Sequence, residues 1–349
     1  MGLLGATMNR LALAVLFAAA VTGASYGQTR DQNIARCSGS DNPDLRIGAC
    51  TTLIQSGQEN TQHMSIGFNN RGFGYYDKGQ FDLAIADYNR AIKLNPNYAI
   101  AYNGRGNAYY GKGRYDLAIA DYNRAIKLNP NFAYAYNDRG TVYSDKGQND
   151  LAIADYNRAI KLNPNFAIAY NGRGTVYDDK GQYDLAIADY NRAIKVNPNF
   201  AIAYRSRGTY HFYLGQFPLA TTDFADSLSH NPADTYSALW LYVTRVKLGT
   251  AGKDELARNA AKLDLAKWPG PIAQFYLGKA TTEQVNAAAA QGDASTKVDQ
   301  TCETAFFIGE YELRKKNAAG RTQLQAAADL CPHISVQYNA AIAELARLK

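Results

Sequence analysis

Eleven residues, DYNRAIKLNPN, begin at Asp87, at Asp121 and at Asp155, and return at Asp189 with Val196 in place of Leu. Each copy follows the last by 34 residues. A period of this length constrains the fold more than any composition does, because a unit that recurs at a fixed spacing packs against copies of itself. Set in register from Ser65, Ala99, Ala133, Ala167 and Ala201, five copies share fixed columns. The fourth holds an aromatic (Phe68, Tyr102, Tyr136, Tyr170, Tyr204), the eighth a glycine (Gly72, Gly106, Gly140, Gly174, Gly208) and the eleventh a tyrosine that becomes His211 in the last copy. A second glycine follows at Gly79, Gly113, Gly147, Gly181 and Gly215. Then come an alanine (Ala84 to Ala220), an aromatic four residues later (Tyr88 to Phe224) and a proline (Pro96 to Pro232). Of the chain's 26 Tyr, 20 lie within residues 65–234, so that excess belongs to the repeat, and ten of its 29 Gly fill the two glycine columns.

The columns describe a helical hairpin. Glycine in column eight and alanine in column twenty leave no side chain where two helices cross, and the large aromatics fill the space beside the crossing. The second glycine permits a left-handed residue at the end of the first helix, and the proline stops the second. A hairpin of this size buries too little surface alone, so neighbours stack and form an array. Arg71, Arg105, Arg139, Arg173 and Arg207 form one charged column and Asp87, Asp121, Asp155, Asp189 and Asp223 another. We expect these to pair between the two helices of each hairpin. The alternative is two solvated columns contributing about 0 to 1 kcal/mol per pair.

The pattern over residues 65–234 resembles the tetratricopeptide repeat (TPR) family, whose aromatic, Gly, Tyr, Ala, aromatic, Ala and Pro positions are all matched at the family spacing. The resemblance implies an all-α fold, a right-handed α-solenoid of TPR hairpins. The arginine column departs from the family, which usually has Leu there. In the family the first helices line a concave groove through columns two, five, nine, twelve and thirteen. Column five here reads Asn69, Asn103, Asn137, Asn171 and Arg205, with Asn70 one place on; column nine contributes Phe73, Asn107, Thr141 and Thr175, and column twelve Tyr76 and Tyr110. Amides at this spacing have both donors and acceptors for an extended peptide; the competing reading has them bonded to their own helices or to water. Family members that capture a C-terminal carboxylate place Lys in column five, and none occurs here.

Arg10, the apolar run Leu11 to Val21 and the small residues Thr22, Gly23, Ala24, Ser25 and Gly27 read as a secretory signal peptide over 1–27, with cleavage near Ala24 or Gly27. The run is shorter than the roughly 20 residues a membrane span needs. The processed chain is then expected to be periplasmic, with no membrane span and no lipid-attachment Cys. Export makes disulfides available to the four cysteines, which fall into two local sets, Cys37 with Cys50 and Cys302 with Cys331. Pairing within each set is expected, the alternative being four buried thiols. Residues 28–64 read as an N-terminal helical cap. Residues 235–349 read as a C-terminal helical extension: Thr281 with Gln284 suits a capping box, and residues 302–332 form a looser hairpin crossing at Gly309, with Cys302 and Cys331 at adjoining ends of antiparallel helices. The segments QFYLGKATTEQV, FFIGEYELRK and VQYNAAIAELARL are similar to the C-terminal part of NlpI-type periplasmic TPR adaptors, which implies a dimeric scaffold for envelope proteins.

Nothing in the chain frames catalysis. His63, His211, His230 and His333 stand in no HExxH or comparable motif, the carboxylates are periodic, and the glycines of GxG spacing belong to helix crossings. The formal charge of +6, about +5 without Arg10, is scattered and gives no nucleic-acid footprint. The expected function is that of an exported scaffold binding a protein or peptide partner, without metal or cofactor. The alternatives are a glycan-binding envelope protein, through stacking on the tyrosine-rich end, and a self-assembling spacer.

Overall fold

The computed structural model describes residues 29–332 and 335–349. The signal-peptide reading of 1–27 and the residue His333 lie outside them. Among the described residues every regular element is an α-helix, and none is long and apolar enough to cross a membrane. The chain divides into two units, the first ending at Asn131 and the second running from Phe132 to Lys349.

The first unit opens with a complete helical hairpin, α1 (Arg30–Gly39) and α2 (Pro43–Ser56). Thr29 and Gln32 close a capping box on α1, and Asn42 with Pro43 behind it starts α2. The Cys37–Cys50 disulfide clamps the pair, with both cysteines buried. Two repeat hairpins follow: α3 (Thr61–Asp77) with α4 (Phe81–Leu94), and α5 (Ala99–Gly111) with α6 (Tyr115–Leu128). Helix α3 has 17 residues where α5 has 13, because Asn60 caps it one turn ahead of the repeat register.

In the second unit the hairpins are α7 (Ala133–Asp145) with α8 (Asn149–Leu162), α9 (Ala167–Asp179) with α10 (Tyr183–Val196), and α11 (Ala201–Tyr213) with α12 (Phe217–His230). A sixth hairpin, α13 (Thr235–Lys247) and α14 (Lys253–Ala260), continues beyond the strict sequence period. Gly249 stands 34 residues after Gly215 with φ +72°, and the Thr250 N–H closes onto the Arg245 carbonyl as in the preceding turns. Helices α15 (Gly270–Leu277) and α16 (Thr282–Ala289) follow, the latter opened by the expected Thr281–Gln284 capping box. The last hairpin, α17 (Ala294–Arg314) and α18 (Ala319–Leu330), is joined by the Cys302–Cys331 disulfide and crosses where Gly309 meets Leu324. Helix α19 (Val336–Arg347) then turns back onto α11: Arg347 Nη2 donates to the Phe212 carbonyl at 2.8 Å, and the Tyr213 hydroxyl donates to the Val336 carbonyl at 3.0 Å. Trp240, Phe212, Phe224, Phe306 and Phe307 form an aromatic core between these elements.

The repeated motto has a local reason. In LNPN the first Asn adopts the extended backbone that a following proline demands, and its side-chain oxygen accepts from the N–H two residues on, at 3.1 Å for Asn95, Asn129, Asn163 and Asn197. The second-glycine column lies in the left-handed region in all five copies, φ +67° to +71°.

Candidate binding surface

The expected arginine–aspartate pairs form in every repeat. Arg71 Nε and Nη2 donate to the two oxygens of Asp87 at 2.6 and 2.8 Å; Arg105, Arg139 and Arg173 repeat the fork on Asp121, Asp155 and Asp189, and Arg207 on Asp223. Each aspartate is buried. The remaining guanidinium nitrogen reaches the second helix of the preceding repeat: Arg105 to Asn89 at 2.6 Å, Arg207 to Asn191 at 2.7 Å, and Arg173 to Asn157. One arginine thus ties three helices, which the Leu usual in this column cannot do. The aromatic columns share the same charge. Tyr102 lies between the guanidinium groups of Arg105 and Arg124, at 5.5 and 5.7 Å.

In the first unit Asn69 is buried and its side-chain N–H donates to Asn70 at 3.1 Å. Asn103 is buried too. Asn107 accepts the Tyr122 hydroxyl at 2.7 Å, so this member of column nine anchors a core tyrosine. Tyr76 and Tyr110 pack at a tilt against Phe81 and Tyr115 of the following helix, with ring centroids 5.7 and 5.9 Å apart. Phe73 is 45% exposed beneath the Arg46 guanidinium.

In the second unit Asn137 is buried and donates to Asp138, and Thr141 meets the Tyr156 hydroxyl at 3.1 Å. Asn171, Thr175 and Arg205 converge on the wall of a cavity of about 350 Å³. Ile202 from column two, 45% exposed, adds an apolar edge. The opposite wall comes from residues that carried no repeat signal: Tyr236 and Trp240 on α13, Glu303 on α17, Val336 and Gln337 on α19. Arg205, the residue that breaks the asparagine column, is held by Asp234 at 2.7 Å; with His211 in the tyrosine column, its departure from Asn marks this repeat as one that meets something different. The side-chain oxygen of Asn171 is buried with no partner among the described residues. A second, smaller cavity nearby is lined by Asp178, Asp179, Tyr213 and Asn339. Withdrawal from water pushes the Asp178 carboxyl up to about 6; it pushes Asp179 up to about 7, helped by the neighbouring Asp178 charge.

A family model described as TPR repeat matches residues 74–113, 106–147 and 142–181, and one described as tetratricopeptide repeat matches 167–200. These repeats are tetratricopeptide repeats. Among solved structures the chain is similar to MamA, at 32% identity over 46% of this chain and 93% of that one, with a TM-score of 0.40. It is also similar to PilF of Pseudomonas aeruginosa, at 14% identity over 63% and 98% with a TM-score of 0.52, and to PilW, a type IV pilus biogenesis factor, at 21% over 57% and 93% with a TM-score of 0.51. The last two likenesses bear on fold alone. Within the TPR framework, columns five and nine divide their work here. Some members serve the core, as Asn107 and Thr141 do and as Thr175 does beside Tyr190, while Asn171, Thr175 and Arg205 also line the cavity.

Proposed function

We propose that the chain is an exported TPR scaffold that binds a peptide segment or partner helix of another envelope protein along the face bearing columns two, five and nine. The buried, unpartnered side-chain oxygen of Asn171 on the wall of the 350 Å³ cavity carries this reading. A buried acceptor left unbonded costs about 1 to 3 kcal/mol, and a backbone N–H from an extended ligand removes that cost. Asn137, one repeat earlier in the same unit, leaves the same oxygen unbonded, as a row of backbone acceptors requires. Exposed Ile168 and Ile202 supply apolar contact beside the amides. The two disulfides and the apolar segment Leu11–Val21 support export to an oxidising compartment.

A photo-crosslinking amino acid placed at Ile202 and, as a control, at the exposed Lys195 tests the surface in envelope extracts. A defined adduct at Ile202 and none at Lys195 is expected. Equal labelling at the two positions, or none at Ile202, overturns the reading. N-terminal sequencing of exported protein should begin after Ala24 or Gly27.

A further inference from the structure

A further cavity, about 280 Å³, adjoins the one of about 350 Å³ and shares Tyr236, Glu303 and Gln337 with it. Glu303 stands at the junction. Its hydrogen-bond partners are all neutral donors: Trp268 Nε1 at 2.5 Å, the Tyr236 hydroxyl at 3.0 Å and Gln337 Nε2 at 3.4 Å. No cation pairs with it among the described residues, while every buried aspartate of the repeats has its arginine. Asp299, one turn earlier on α17, adds a second carboxylate to the wall, and the side-chain oxygen of Gln300 is buried there with no partner among the described residues. Among the described residues the only cation lining either cavity is Arg205, and Asp234 already neutralises it. Acceptors and negative charge therefore outnumber donors in a wall that also carries the aromatic rings of Tyr236 and Trp268. That is the composition of a site for an organic cation.

We propose that these joined cavities receive a basic side chain, the ammonium of lysine or the guanidinium of arginine, from the peptide bound by the TPR face. This rests on the reading above and specifies its partner's chemistry. The groups around Glu303 sort simply. Arg205 and Asp234 cancel on α11 and the start of α13, Tyr236 and Trp268 donate, Asp299 is a like charge on the same helix, and Ser335 and Gln337 at α19 are neutral. Removal from water holds Glu303 up to about 7, so cation binding gains a deprotonated partner above that pH and loses it below.

The chain's two tryptophans, Trp240 and Trp268, both line the cavities, so their fluorescence reports occupancy. The probes are the blocked tripeptides Gly-Lys-Gly and Gly-Arg-Gly, with norleucine and citrulline replacing the basic residue as uncharged controls. Saturable change is expected with the basic pair alone. Between pH 8 and pH 6 the affinity should fall about tenfold as the competent, ionised fraction of Glu303 falls. Glu303→Gln should abolish the response while the protein still unfolds cooperatively and no earlier than wild type at pH 7, and Asp299→Asn, at an exposed position, should weaken it several-fold. Equal binding of lysine and norleucine peptides, or affinity that does not vary with pH, overturns the cation assignment. If no tripeptide binds while the Ile202 crosslink persists, the cation site is wrong and the groove stands; loss of the crosslink itself removes the groove.

Discussion

At the scale of single residues, the structure turns on charge placed where TPR hairpins usually have hydrocarbon. Arg173 holds the two oxygens of Asp189 and reaches Asn157 in the preceding repeat, and Asp189 is only 5% exposed. Arg173→Leu leaves that carboxylate buried without a cation and should lower unfolding stability by about 3 to 5 kcal/mol. Arg173→Met with Asp189→Leu removes both charges and should come close to wild type. Urea unfolding of the three proteins checks this; equal loss in the single and double variants would mean that the link to Asn157 matters more than the pair. The pairing was legible because both columns recur in all five copies, even the divergent fifth. The third contact is equally periodic, yet its asparagines look like ordinary exposed positions of a second helix, and only the packing shows which amide lies within reach.

Among the elements, helix crossings and turns set the tolerances. A Cβ on Gly174 falls 2.8 Å from the Tyr190 ring, which is itself buried and cannot withdraw. Gly174→Ala should therefore cost about 1 to 3 kcal/mol, read from the shift in urea midpoint. Lys316 shows the opposite case. It occupies φ +57° at the turn between α17 and α18, the place a glycine holds in each repeat. Lys316→Gly should raise stability by about 1 kcal/mol, since a side chain in the left-handed region costs roughly 1 to 2 kcal/mol; an unchanged or lower midpoint would show that the lysine compensates through other contacts. Hairpins one to five were legible from their glycines and prolines. The sixth kept Gly249 but lost the proline and aromatic columns, so its geometry outlasts its sequence signature. The segment ahead of the repeats forms a full hairpin: the capping box at Thr29 defines α1, whose apolar pattern is weak, Asn42 starts α2, and the disulfide joins the two.

For the molecule as a whole, the second unit carries acidic groups that burial has made reluctant to ionise: Asp178 at about 6, Asp179 at about 7 and Glu303 at about 7. The folded state then holds more protons than the unfolded chain between the ordinary carboxylate range and about pH 7. Stability must fall as pH rises through that window. Carboxylates held below their ordinary range, such as Glu59 beside Arg30 and Asp82 beside Lys112, act in the opposite sense but only at lower pH. Urea unfolding followed by tryptophan fluorescence, which reports on this unit alone, should give a higher midpoint at pH 5.5 than at pH 8. The difference should reach a few kcal/mol, since each tenfold gain in a carboxylate's proton affinity on folding is worth about 1.4 kcal/mol. Glu303→Gln should flatten part of that slope. A midpoint that rises toward pH 8 would contradict the burial of these groups.

The amino-acid order by itself determined the hairpins, their crossings, the arginine–aspartate pairs and the two disulfides, because each depends on contacts that are short in sequence or repeated at one period, and repetition makes a weak pattern strong. It could mark Asn171, Thr175 and Arg205 as a surface but not what stands opposite them. That was decided only when α13, α17 and α19 packed beside α11 and brought Tyr236, Glu303 and Gln337 to the same cavity. Such contacts join distant, non-repeating segments through shape and burial, and neither leaves a periodic trace in the chain.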